Sequence, residues 1–121
     1  MNQKERSLNR MREILGPKAD TIIDNLKKIS PDFAHYVVDF SYGDVYSRPG
    51  LSDKMREAIA VACLMGQGNT KLPLKSHIKG MLTVGWQKEE IIETIIFLTI
   101  YCGFPTAVDA ITIAQEVFEN K

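Results

Sequence analysis

The sequence is poor in the features that most readily announce a function. Its two cysteines, Cys63 and Cys102, form no CxxC pair, and no Cys/His cluster has metal-site spacing, so neither dithiol chemistry nor a metal is indicated. Basic and acidic residues are equal, fifteen of each, which leaves no electrostatic footprint for nucleic acid or an anionic membrane. The start, MNQKERSLNR, is polar and lacks the apolar core of a secretory signal. The most apolar run, Ile91 to Phe104, is about fourteen residues with Glu93 inside it, short of the roughly twenty that cross a bilayer. No linker, low-complexity tract or repeat divides the 121 residues, a length that supports one domain with a real core and no need of a disulfide. The expectation is a soluble, cytoplasmic, single-domain protein without nucleic-acid or membrane partners.

What is present is helical periodicity. A first helix from about Gln3 to Leu15 carries a thin stripe of Leu8, Met11, Ile14 and Leu15, and Gly16-Pro17 ends it. A second, reaching about Ile29, places Ile22, Ile23, Leu26 and Ile29 on one side. Both read as amphipathic cover helices. Ser30-Pro31-Asp32 supplies an N-cap, an N1 proline and an acidic first turn, so a third helix begins there, with Phe33, Val37 and Phe40 as its buried face and His35 opposite, on the surface. The stretch from Ser41 to Leu51 is the most irregular. Gly43 and Pro49-Gly50 break helix, and between them stand Tyr42, Asp44, Tyr46 and Arg48. Two readings stay open: a surface linker in which Arg48 pairs with Asp44, or a pocket lining in which the Arg48 guanidinium offers a donor fork to a carboxylate ligand.

Residues 51–85 form the centre of the pattern, two helices joined by Gly66-Gln67-Gly68-Asn69. Ser52 and Asp53 start the first of them. From Ala58 to Met65 it is apolar on every side, so it must be enclosed by other helices or by another subunit. Pro73 can open the second, where Leu74, Ile78, Met81, Leu82 and Gly85 share a face and Lys75, Ser76, Lys79 and Thr83 take the solvated side. His77 lies at the edge of that apolar face. It is either a core-edge imidazole bonded to a carbonyl or a shielded but reachable proton-transfer group. Glu57 tops an apolar face, with Ala60, Val61 and Leu64 three, four and seven residues on. Arg56 points about 100° away, so the partner of this carboxylate must come from elsewhere, as a structural ion pair or as a proton relay. The segment after Trp86 opens with acids and becomes a nearly all-apolar, enclosed helix through Cys102. Ala107, Ala110, Ile111, Ala114, Val117 and Phe118 define the last one, whose small residues permit close approach. The fold class is therefore all-α, a compact bundle of about six helices around a central helical hairpin.

The stretches SYGDVYSRPGLSDKMREAIAVACLMG and LPLKSHIKGMLTVGWQKEEIIETIIFLTIYCGFPTAVDAI resemble the carboxymuconolactone decarboxylase family, which also contains the alkylhydroperoxidase D-type thiol enzymes. The resemblance covers about Asp32 to Glu119, so residues 1–30 are expected to be cover helices and residues 31–121 the family core of a single domain. It implies an alkylhydroperoxidase D-like helical bundle assembled into trimers or hexamers. In the thiol branch a C-x-x-C precedes the histidine; the matching positions here are Thr70 and Pro73, so a cysteine-pair peroxidase is disfavoured, although Glu57 and His77 match that branch's relay pair. Cys63, deep in an apolar helix, would be the remaining possible thiol.

The decarboxylase branch is closer. It implies loss of carbon dioxide from 4-carboxymuconolactone to give the enol-lactone of 3-oxoadipate, with no metal or organic cofactor. Under that resemblance His77 is the acid and Glu57 orients it. Arg48 holds the carboxylate of a small-molecule substrate, and Asp44, Tyr46 and Tyr42 shape the pocket. Asp44 stands where a longer glutamate is expected and Pro73 where a polar residue is. A thiol antioxidant protein and a non-catalytic small-molecule binding protein are the alternatives.

Overall fold

The computed structural model describes residues 2–120. These form seven α-helices and one π-helical segment, and no strand occurs among the described residues. Two compact units are distinct along the chain, one reaching Asp53 and one beginning at Lys54.

The first unit contains α1 (Gln3–Leu15), α2 (Lys18–Ile29), α3 (Pro31–His35) and the π-helical segment Tyr36–Val45 that continues α3 without a break. Asn2 caps α1, its side chain accepting from the Glu5 backbone N–H at 2.8 Å, and Gly16 ends the helix at φ 71°, a conformation that a residue with a Cβ resists. A bidentate pair, Arg12 to Asp20 at 2.7 and 3.0 Å, bridges α1 and α2 on the surface. The core is Ser7, Met11, Ile14, Leu15, Ala19, Ile23, Ala34, Val38 and Tyr42. Ile29, expected on the buried side of α2, is instead 83 % exposed at the helix end.

The third helix also departs from expectation. Ser30 caps it, accepting from the Phe33 N–H at 3.1 Å. However, Phe33 and Phe40 are exposed, and Ala34, Val38 and Tyr42 are the residues turned inward. The inward face is already set one residue on, at Ala34 rather than Phe33, in the α-helical turns, and from Tyr36 the winding is wider, the Tyr46 N–H bonding the Ser41 carbonyl five residues back at 2.8 Å, so a 3.6-residue phase does not hold as far as Phe40. Gly43 does not break this run. It lies inside it, where a Cβ would collide with the buried Ser7 hydroxyl of α1, so glycine is present for close approach.

The second unit contains α4, which runs Asp53–Gln67 with its first residue in the other unit, and α5 (Lys71–Thr83), α6 (Lys88–Cys102) and α7 (Phe104–Phe118). Gly68 and Asn69 turn the chain at φ 69° and 48°, and the Thr70 hydroxyl closes the turn on the Leu64 carbonyl at 2.8 Å. Gln87 and Glu90 form a capping box ahead of α6. The core is contributed by Val61 and Met65 of α4, Leu74, Ile78 and Met81 of α5, Ile91 and Ile95 of α6, and Ala107, Ala110, Ile113 and Ala114 of α7. α4 and α5 meet through Glu57 and His77, but α7 is the helix on which both α5 and α6 pack, its alanines allowing the approach.

Neither α4 nor α6 is enclosed on all sides within the chain. Met55 and Ile59 are about half exposed, and Ile96, Phe97, Ile100 and Tyr101 of α6 continue into Phe104 and Val108 of α7 as an exposed apolar band. The chain has helices enough to cover one face of α6, and the apolar surplus lies on the other. Cys63, expected deep in α4, is also exposed, accepting from the Gln67 amide at 3.3 Å, while Cys102 is half-buried. No helix among the described residues is long and apolar enough to cross a membrane.

Candidate active site

The stripe that buries α4 runs Glu57, Val61, Met65, with steps of four residues, so the packing that places two apolar side chains in the core carries a carboxylate in with them. Glu57 has no exposed surface, and a carboxylate in that position requires a partner. His77 supplies it from α5. Its Nδ1 lies 2.7 Å from Glu57 Oε1, and the imidazole keeps 17 % of its surface exposed. The site therefore consists of a fully buried anion behind a partly accessible ring.

The partner of Nδ1 bears on which ring nitrogen carries the proton. A carboxylate only accepts, so Nδ1 carries the proton and donates it to Oε1, which leaves Nε2 as the atom that can take up or release a proton. The hydrogen bond to the buried carboxylate fixes the ring plane. This arrangement of an oriented imidazole in front of a buried acid is competent for general acid or base work at one position in space.

A third residue is part of the pair. Gly80 lies one turn after His77 on the same side of α5 and is itself buried. A Cβ at this position would meet the Glu57 carboxylate, 3.1 Å from Cδ and closer still to Oε1. The backbone is ordinary helix there, so glycine is not required by conformation; a glycine in a helix interior costs about 1 kcal/mol relative to alanine. What it provides is the space the carboxylate fills. Sequence periodicity did not single out Gly80. The available signal was a glycine in mid-helix, three residues after the histidine, with no turn to explain it.

The other candidate residues lie in the first unit. Tyr42 is buried and stacks on Tyr46 with ring centroids 4.6 Å apart, and the Ser47 hydroxyl donates to the Tyr42 carbonyl at 2.8 Å. Asp44 and Arg48 are exposed, Asp44 at the edge of a cleft of about 620 Å³ that is also lined by Gln3, Lys4, His35 and Asp39. The surface His35 pairs with Asp39, one turn on, at 2.5 Å.

Sequence reasoning missed the residue that holds this segment. Arg10 of α1 donates through Nε and Nη2 to the Tyr46 carbonyl at 3.1 and 2.7 Å, and through Nη1 and Nη2 to both carboxylate oxygens of Asp53 at 2.9 and 2.5 Å. Its guanidinium is held above the usual arginine range chiefly by the hydrogen bond to Asp53, against the opposing effect of burial. Arg10 thus ties both ends of residues 46–53, the stretch that carries Arg48. In the sequence it was one of several basic residues on a cover helix, without a distinguishing neighbour.

Comparison with known proteins bears on what such a site does. The profile of the carboxymuconolactone decarboxylase family matches residues 31–116. The chain is 32 % identical to a 4-carboxymuconolactone decarboxylase of Acinetobacter baylyi, in an alignment spanning 99 % of this chain and 92 % of that protein. It is 24 % identical to a nitrosuccinic acid decarboxylase of Metarhizium robertsii, across 90 % of this chain and 76 % of that one.

Proposed function

The chain belongs to the carboxymuconolactone decarboxylase family, and from that premise we propose that it is a decarboxylase of a small carboxylic acid, a carboxylated lactone of the 4-carboxymuconolactone type being the first substrate to test. The observation that carries this reading is the buried Glu57 behind His77, a proton-transfer pair on the helix hairpin. The two decarboxylases that resemble the chain act, by their names, on different small acids, so the shared chemistry is loss of carbon dioxide rather than one carbon skeleton.

In this reading Arg48 binds the substrate carboxylate with its planar donor fork, and Tyr42, Tyr46 and Asp44 shape the space around it. The bond between the substrate carbon and its carboxyl group breaks, and carbon dioxide leaves. The electron pair stays behind as an extended enolate that reaches the lactone carbonyl through the ring double bond, and His77, as the imidazolium, delivers the Nε2 proton to the carbon next to that carbonyl, which leaves the double bond at the carbon that lost carbon dioxide. Glu57 keeps the Nδ1–H in place throughout and offsets the charge of the protonated ring. The ring recovers its proton from water. The steps invoke no metal and no organic cofactor. The reading also includes a homo-oligomer, trimer or hexamer, in which the band of Ile96, Phe97, Ile100, Tyr101, Phe104 and Val108 meets another copy; an apolar surface of this kind marks an interface.

The test is the absorbance change of freshly prepared 4-carboxymuconolactone with the purified protein, alongside His77→Ala and Glu57→Gln at matched oligomeric state. Turnover should fall by about 10²–10⁴ in His77→Ala, the range general acid catalysis supplies. Glu57→Gln, which keeps an acceptor but loses the charge, should fall less. Turnover equal to wild type in His77→Ala would overturn the assignment of the acid.

A further inference from the structure

We propose that Gly80 is a positioning residue: its missing side chain is the space in which the Glu57 carboxylate sits, and that space makes His77 a proton donor through Nε2 alone. The proposal rests on the reading of His77 as the proton-transfer group, and extends it to a residue that touches neither the imidazole nor a substrate.

The argument begins with the environment of Glu57. The side chain is fully buried, and the oxygen that a Cβ at position 80 would strike is Oε1, the same atom that accepts from His77 Nδ1. Cδ would stand 3.1 Å from that Cβ, tighter than ordinary contact, so rotation of the carboxyl group about its own axis does not by itself relieve the overlap. Relief requires Oε1 to turn out of this space and Cδ to give by a few tenths of an ångström, and because Oε1 is the atom that accepts from His77 Nδ1 at 2.7 Å, the turn takes the acceptor out of line with its donor.

Gly80 and His77 sit one turn apart on α5, and each meets the same oxygen. The helix therefore presents a donor and a vacancy at fixed relative position, and the carboxylate from α4 is held by both. Take the vacancy away and the imidazole loses its acceptor. Nδ1–H and Nε2–H tautomers then become comparable, and the ring no longer presents one defined atom for proton transfer. Misplacement of about 1 Å in such a group costs about 10²-fold in rate.

The experiment is nitrogen NMR of the imidazoles in the wild-type protein and in Gly80→Ala, with the exposed His35 as the internal reference. Wild type should show His77 as the Nδ1–H tautomer with a hydrogen-bonded proton protected from exchange. Gly80→Ala should show a mixed tautomer, a fast-exchanging ring proton and kcat about 10² lower. An unchanged His77 tautomer and protected proton in Gly80→Ala would overturn the proposal.

A thermal cycle covers the case in which Gly80→Ala folds poorly. The loss of Tm caused by Gly80→Ala should be smaller or absent in a Glu57→Ala background, because the atoms it strikes are gone. An equal loss in both backgrounds would also overturn the proposal. These readouts separate the two claims: if His77→Ala retains turnover while the tautomer of Gly80→Ala still shifts, the reaction assignment fails and the positioning role stands.

Discussion

Replacing Arg10 with methionine keeps most of the side-chain stem and removes every donor. Arg10 is largely buried, with 17 % of its side chain exposed, whereas Asp53 and Glu13 keep 34 % and 63 %. The 2.8 Å pair with Glu13 is therefore a surface interaction worth about 0–1 kcal/mol, and water replaces it readily. The fork to Asp53 and the paired donation to the Tyr46 carbonyl are the substantial contributions. Hydrogen bonds to charged groups are worth about 1.5–3 kcal/mol each in net terms, and the low end applies where the partner can be rehydrated, as Asp53 can. Counting the Asp53 fork and the Tyr46 carbonyl as one interaction each at that low end, the loss is about 3 kcal/mol, which for a chain of this length corresponds to a fall in Tm of roughly 9–18 °C.

Arg10→Lys retains the charge but not the planar fork, and should recover less than half of that loss. The assay is thermal denaturation at one fixed protomer concentration, since assembly contributes to apparent stability. Amide exchange over residues 46–53 is measured in parallel, because this is the stretch Arg10 ties at both ends. Faster exchange confined to these residues, together with a raised KM and an unchanged kcat, is the expected signature if Arg48 holds the substrate carboxylate. A change in stability within about 0.5 kcal/mol, the range of an ordinary surface substitution, would refute the clamp. So would additivity with Asp53→Ala, since residues in direct contact should be coupled.

Other expectations are narrower. Cys63→Ser should leave decarboxylation unchanged and the protein without peroxidase activity; a native-state peroxidase activity that disappears in Cys63→Ser would favour the thiol reading instead. Ile100→Glu, at a position 76 % exposed within the chain, should reduce the oligomer observed by light scattering while leaving the helical circular dichroism intact, and an unaltered mass would remove the α6 band from the interface. The hydrogen bond from Arg12 holds the Asp20 carboxyl below its ordinary range. A depressed carboxyl contributes stability above its unfolded value of about 3.9, and the contribution is lost as pH falls through the lower folded value. Asp20→Asn should therefore be less stable than wild type near neutrality and converge with it at acid pH, as read by Tm across that range; a constant difference would assign the loss to something other than this pair.

How far the sequence revealed this arrangement depended on whether the deciding partner was near in the chain. The Ser30 cap and the acidic start of α6 were readable because a cap is satisfied within three residues. Glu57 was also informative at a distance: a carboxylate placed over Ala60, Val61 and Leu64, with Arg56 facing away, has to find a partner from another element, and His77 is that partner. The buried face of the third helix differs from the one its large residues suggest because the small Ala34, not Phe33, is turned inward, and from Tyr36 to Val45 the winding is wider than a 3.6-residue period anticipates. α4 and α6 were read as enclosed because their apolar content is high all round, but composition states only that a surface seeks cover, not whether the same chain supplies it. Cys63 was placed deep for the same reason, and is exposed.

Arg10 and Gly80 show a different limit. Arg10 acts on a carbonyl 36 residues away, and a backbone acceptor leaves no trace in the sequence. Gly80 is informative only through what its neighbour across the helix pair requires: a glycine with unremarkable backbone angles is a cost to its own helix, and that cost has an explanation only when the carboxylate of Glu57 is seen occupying the vacant position. A mid-helix glycine one turn from a candidate acid or base is therefore worth testing as part of the site before it is dismissed as a weak point in the helix.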